Sequence, residues 1–285
     1  MPALFVKLMI SVFAIVLGAT MVAPTSYGAE KSGTLTFGVV PQQSASKLAR
    51  LWTPILSEVS KQSGIQLQFR TAKDIPTFEK ELSAGTYDLS YMNPYHYAVF
   101  SHRPGYSAFA KQQNMRIVGV IVVRKDSKIQ NLSELDGQTL AFPSPAAFAA
   151  TLLPQAHLRK LGITYEASYV SSHDSVYRNV ASGRAVAGGG IIRTLNNIDP
   201  EVRDQLRVLW ESIGYTPHAF AAHPSVNTET LERVATAIVM LEESKLGKEL
   251  LAAINFKGIE RASSGEWDDV RELDFNTLDQ YLKEN

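Results

Sequence analysis

The chain has 285 residues, and its 28 Lys and Arg are balanced by 28 Asp and Glu, for a formal net charge of zero. That balance argues against a nucleic-acid or anionic-membrane surface. It has no cysteine, which excludes disulfides, thiolate chemistry and Cys-based metal sites.

The first 29 residues read as a cleavable signal peptide. Lys7 supplies a positive charge, residues 8–22 are apolar apart from Ser11 and Thr20, and the small residues of 23–29 allow cleavage after Gly28 or Ala29. An uncleaved anchor is the other reading. No Cys follows the apolar run, so a lipoprotein is not expected. Export to the periplasm is expected, with a mature chain of about 255 residues, enough for one large domain or two medium ones.

Residues 34–40 read as a strand, and the polar turn 41–46 caps a helix over 47–61 that Gly64 ends. A strand over 65–69 and a helix over 75–84, stopped by Gly85, come next. Residues 87–91 alternate apolar and polar side chains, as a strand does, and Asn93-Pro94 then starts a helix by capping and by a fixed first turn. This βαβαβα order predicts a parallel sheet flanked by helices.

A second series follows. Residues 116–124 are a continuous apolar strand, 133–137 a short helical turn, 139–142 a strand, and 146–161 a helix containing Pro154. Strands over 167–170, 185–187, 206–209 and 219–222 and a helix over 174–182 continue it. From 227 the chain is helical almost to its end, with a break near 255–258. The pattern predicts two α/β lobes, one from 30–122 plus 219–285 and one from 123–218, with crossings near 120–124 and 215–222. A single doubly wound sheet of about 250 residues is the alternative.

Four polar turns fall between a strand and a helix, at 41–46, 92–95, 143–147 and 171–174. Helix N-termini hold anions because their amides are unpaired and their dipole end is positive. In two lobes these turns would converge on one cleft. Ser172-His173-Asp174 is the sharpest, since Ser or Asp can cap and His can donate to a bound oxygen. Gly188-Gly189-Gly190 reads as a bare turn after a short strand, open to close ligand approach. Arg193 is a candidate cleft cation, and His218 reads as a hinge or packing residue. The candidate contacts are Asn93, Tyr95, Ser144, Ala146, Ser172, His173 and Gly189, with Ser44 and Arg193 beside them. The histidines lack metal spacing, and no nucleophile elbow, phosphate-loop Lys or His-Glu-x-x-His occurs, so no enzyme, metal or cofactor is expected.

Phe37-Gly38-Val39-Val40-Pro41, Gly85-x-Tyr87-Asp88, Asn93-Pro94-x-x-Tyr97, Val123-Arg124-Lys125-Asp126-Ser127, Leu132-x-x-Leu135-x-Gly137 and Ser172-His173-Asp174 occur in this order. Together they resemble the periplasmic binding proteins of phosphate, phosphite and phosphonate ABC transporters, the PhnD-type group. The resemblance implies a type II periplasmic-binding fold, two α/β lobes joined by a two-strand hinge. It implies closure on a small oxyanion held by helix amides, hydroxyls, an aromatic and a His. His173 matches the family His, and Tyr95 falls in the turn that supplies a cleft aromatic. The implied partner is a permease, or alternatively a membrane sensor kinase, and a monomer is expected. Two departures stand out. The family's hydroxyl-rich cradle reads Ser144-Pro145-Ala146-Ala147-Phe148 here, and an acidic residue usual near 185–190 is replaced by Ala and Gly. Fewer donors predict weaker phosphonate binding, hence a different oxyanion or a less charged molecule stacked on Tyr95 and Phe148.

Overall fold

The computed structural model describes residues 33–283; the signal-peptide reading lies outside the described residues. The chain runs β1 (Leu35–Val39), α1 (Ala45–Ser63), β2 (Leu67–Arg70), α2 (Ile75–Ser83), β3 (Leu89–Met92), α3 (Pro94–Phe100), β4 (Ser107–Gln112) and β5 (Gly119–Arg124). It continues with β6 (Gln138–Phe142), a π-turn (Phe148–Leu152) running into α4 (Leu153–Lys160), β7 (Tyr165–Tyr169), α5 (His173–Ala181), β8 (Ala187–Ile191), α6 (Ile192–Asn196), α7 (Pro200–Arg203) and β9 (Leu206–Glu211). Last come β10 (Ala219–Ala222), α8 (Thr228–Val239), α9 (Lys245–Ala253), β11 (Ile259–Arg261) and α10 (Asp268–Arg271).

Local chemistry sets these boundaries. Asp74 and Asn93 accept the Thr77 and His96 amides at 2.8 and 2.7 Å and so cap α2 and α3. Gly64 ends α1 in the left-handed region, its amide bonded back to Ser60 O at 2.9 Å.

The strands form two sheets, ordered β11-β4-β10-β3-β1-β2 and β7-β6-β8-β5-β9. β1, β2 and β3 are parallel, as the alternation predicts, and so are β6, β7 and β8. Antiparallel strands complete both sheets: β10 and β11 return to the first, while β5 and β9 flank the second. These are two lobes of a type II periplasmic-binding fold. The first crossing lies earlier than expected. β5 pairs with β8 from Gly119 onward, so residues 120–124 belong wholly to the second sheet. The passages between sheets are 113–118 and 212–218, tied by the antiparallel bridge Ile117–Tyr215 at 2.8 and 3.0 Å. Among the described residues no helix is long and apolar enough to cross a membrane.

Gly188-Gly189-Gly190 is not a turn but the centre of β8. Successive strand residues face opposite sides. A Cβ on Gly188 would lie 2.4 Å from Val176 of α5, and one on Gly190 would lie 2.3 Å from the Tyr177 hydroxyl. On the other face, a Cβ on Gly189 would lie 1.9 Å from the Ala150 carbonyl oxygen. The glycines therefore let α5 and the Ala150 turn rest directly on the sheet backbone. That turn reaches further: Ala146, Ala147, Phe148, Ala149, Ala150, Leu152, Leu153 and Ile191 share one continuous apolar core with the first lobe.

Gly189→Ala is expected to lower the unfolding free energy by about 3 kcal/mol, because backbone and not a flexible side chain meets the new methyl. Urea denaturation followed by circular dichroism measures it; a change under 0.5 kcal/mol would contradict this packing.

Candidate functional site

The β1–α1, β3–α3, β6–α4 and β7–α5 turns meet between the sheets. Asn93, the α3 cap, uses its oxygen on the His96 amide and donates through Nδ2 to Ala146 O at 3.3 Å, from one lobe to the other. Gln42, after β1, does more. Its carbonyl accepts the His173 amide at 3.1 Å, at the start of α5. Its side-chain Oε1 accepts from Arg193 Nη2 at 2.6 Å, and its Nε2 lies 3.0 Å from His218 Nε2.

This network assigns the protons. An arginine has no acceptor, so the Gln42 oxygen faces Arg193 and its NH₂ faces His218. His218 Nε2 must then accept, and the ring is neutral with its proton on Nδ1. Burial agrees: it pushes His218 well below its ordinary pKa, helped by the Arg193 charge. His173 is 2% exposed and hydrogen-bonds through Nδ1 to Thr194 Oγ1 at 3.0 Å. Burial, and Arg193 after it, hold its pKa down at about 3. Thr194 Oγ1 lies 2.8 Å from the Tyr177 hydroxyl, which fixes the His173 support to α5 and α6.

The crack enclosed by Gln42, Asn93, Ala147, Phe148, His173 and His218 has about 10 Å³ of free volume, room for about one water. A larger cavity of about 280 Å³ opens on the hinge side, between Tyr91, Ile117, Ile191, Arg193, Pro217 and His218.

The expected residues divide accordingly. Asn93 and His173 meet in the crack, Ala146 joins them only through its carbonyl on Asn93 Nδ2, and Arg193 stands between crack and cavity. Ser144 is buried nearby, with its hydroxyl unpartnered. Ser172 serves α5 as its cap, accepting the Ser175 amide at 3.1 Å, and Ser44 is exposed at the start of α1. Two expectations fail. Gly189 is covered by Ala150 and the Phe142 ring, so no ligand approaches it. Tyr95 turns its hydroxyl to the C-terminal segment, donating to Phe275 O at 2.9 Å and accepting the Leu278 amide at 3.1 Å. Phe148 likewise packs on Tyr215 and Phe275, so neither ring offers a free stacking face.

Gln42, Tyr91 and His218 are the residues that sequence reasoning missed as contacts. Tyr91 stacks on His218 with centroids 5.0 Å apart and planes at 19°. The strand period puts it on the same face as Leu89 and opposite Ser90. Gln42 carries no comparable signal.

The family model for periplasmic substrate-binding proteins of phosphonate ABC transporters matches residues 37–267. The phosphate-import protein PhnD of Mycolicibacterium smegmatis is 21% identical over 235 residues, covering 71% of this chain and 70% of the relative. A binding protein component of an ABC phosphonate transporter from Pseudomonas aeruginosa superposes with a TM-score of 0.79 at 17% identity, over 86% of each chain. PhnD1 from Prochlorococcus marinus, solved with methylphosphonate, gives 0.79 at 19% identity, over 85% of this chain and 97% of that one.

Because both rings are held neutral, acid favours the unfolded chain. Unfolded histidines take protons near pH 6.5, whereas folded His173 waits until about 3. Stability is thus expected to fall as pH drops from about 6.5 toward 3, by up to about 1.4 kcal/mol per pH unit for each ring. Melting temperatures between pH 7 and 5, above the carboxylate range, test this. His173→Gln should flatten the slope; an equally steep slope in that variant would contradict it.

Proposed function

The chain belongs to the periplasmic substrate-binding proteins of phosphonate ABC transporters, a family of transport proteins and not of enzymes, and we propose that it carries a small oxyanion in the cleft between its lobes. One observation supports this most. The His173 amide and the Arg193 guanidinium both point at oxygens of Gln42. Two donors aimed at the two oxygens of one residue between the lobes suit the separate oxygens of an oxyanion equally well.

In this reading the lobes move as rigid units about residues 113–118 and 212–218. Opening breaks Gln42–His173, Gln42–Arg193 and Asn93–Ala146, and closing remakes them or their ligand equivalents. A bound anion competes with Gln42 for its donors, each worth about 1.5–3 kcal/mol to a charged group. Affinity is therefore lower than in a site whose donors are uncontested. The proposed recipient is a membrane permease, with the chain acting as a monomer.

A thermal-shift screen against phosphate, phosphite, methylphosphonate, sulfate and arsenate tests the reading. An anion that binds the folded chain raises the melting point, by mass action. At least one of these is expected to do so, and Arg193→Met, which removes the side-chain donor, should remove most of the rise. No rise with any oxyanion would overturn the proposal.

A further inference from the structure

The hinge-side cavity carries chemistry that the crack does not. Arg193 stands at its inner end, half-buried, and among the described residues it makes no ion pair; its bonded partner is the neutral Gln42 amide, with the Phe256 ring 5.9 Å below it. Cations in such settings call for an anion, since an unmatched charge is costly away from water. Two further donors face the same space. His218 carries its proton on Nδ1, which bonds to no described residue, and the Tyr91 hydroxyl is likewise unengaged. Arg193 lies near enough to Tyr91, His173 and His218 to shift the titration of all three. The other positive charge, Arg116, is already matched by Asp269 at 2.7 Å. Exposed Glu211 at the rim adds a negative charge, which disfavours a second negative charge far from Arg193.

Apart from Gln112, whose Nε2 donates to Asn255 O at 3.1 Å, the remaining lining is apolar: Met115, Ile117, Val118, Ile191, Ile192 and Pro217. At about 280 Å³ the cavity exceeds what a bare phosphate or methylphosphonate needs, and it approaches the size of a small-molecule pocket.

We infer that this hinge-side cavity is the subsite for the organic substituent of the ligand, an oxyanion with an aryl or branched alkyl group, whose anionic head sits against Arg193, His218 and Tyr91. This rests on the interlobe oxyanion reading and narrows it. Residues of both lobes and of the hinge line the cavity, so its shape depends on closure, and the substituent is enclosed only when the lobes meet.

Isothermal titration of the full mature chain with phenylphosphonate, methylphosphonate and inorganic phosphate is the test. Phenylphosphonate should bind at least tenfold more tightly than the other two. Met115→Trp, which narrows the cavity from a partly exposed position, should weaken phenylphosphonate at least tenfold while leaving phosphate within threefold. Arg193→Met should weaken every anion by about 10- to 100-fold, and Arg193→Lys should recover part of the loss. Circular dichroism confirms that each variant is folded. Equal affinity for phenylphosphonate and phosphate, or full phenylphosphonate affinity in Met115→Trp, would overturn the subsite and leave the oxyanion reading standing. Absence of binding by any of the three overturns both.

Discussion

Gln42 is the residue on which the cleft depends. It makes three contacts across or along the interlobe space, to the His173 amide, Arg193 and His218. Each fixes something else. Arg193 sets which end of the amide is oxygen, and that end sets the tautomer of His218. The His173 amide, first on α5, is taken by a carbonyl of the opposite lobe. A glutamate here would face His218 Nε2 with an acceptor, and a hydrophobic residue would strand Arg193. The proton position on His218 thus follows from one uncharged side chain, while burial and the Arg193 charge keep His173 neutral.

The second constraint is the contact between β8 and the turn after β6. Gly189 brings Ala150 onto the sheet while Gly188 and Gly190 admit α5 on the other face, and the segment from Ala146 to Leu153 then extends into the first lobe's core. This accounts for the apolar character of Ala146-Ala147-Phe148, since burial between two lobes disfavours polar side chains; the Ser144 hydroxyl is kept there without a protein partner. The segment 146–153 and strand β8 are therefore coupled by direct packing.

Much of this was legible in the sequence. Alternating strand and helix signals, with the cap at Asn93, gave the parallel core of both sheets because those signals are local. β4 and β11 were missed: Ser107-Ala108-Phe109-Ala110-Lys111-Gln112 is poor in β-branched residues, and three residues at 259–261 are too few for a period. The glycine run was misread as a turn because its reason lies in the helix and turn packed on it. His173 was legible from its cap motif. Tyr95 was not, since a residue in the first helical turn can face either side, and here the C-terminal segment takes its hydroxyl. Gln42 gave no warning because polar residues in a turn are ordinarily solvated.

These two constraints together decide where ligand discrimination can arise. At the head of the cleft, a ligand oxygen gains only the difference between itself and the Gln42 oxygen it replaces. That difference is small for any one oxyanion relative to another, since Arg193 and the His173 amide serve both kinds of oxygen. In the hinge-side cavity no protein group competes. Apolar area buried there contributes about 25 cal/mol per Å², and a substituent burying about 80 Å² would gain about 2 kcal/mol on that scale. Charge then admits a class of ligands, and shape chooses among them.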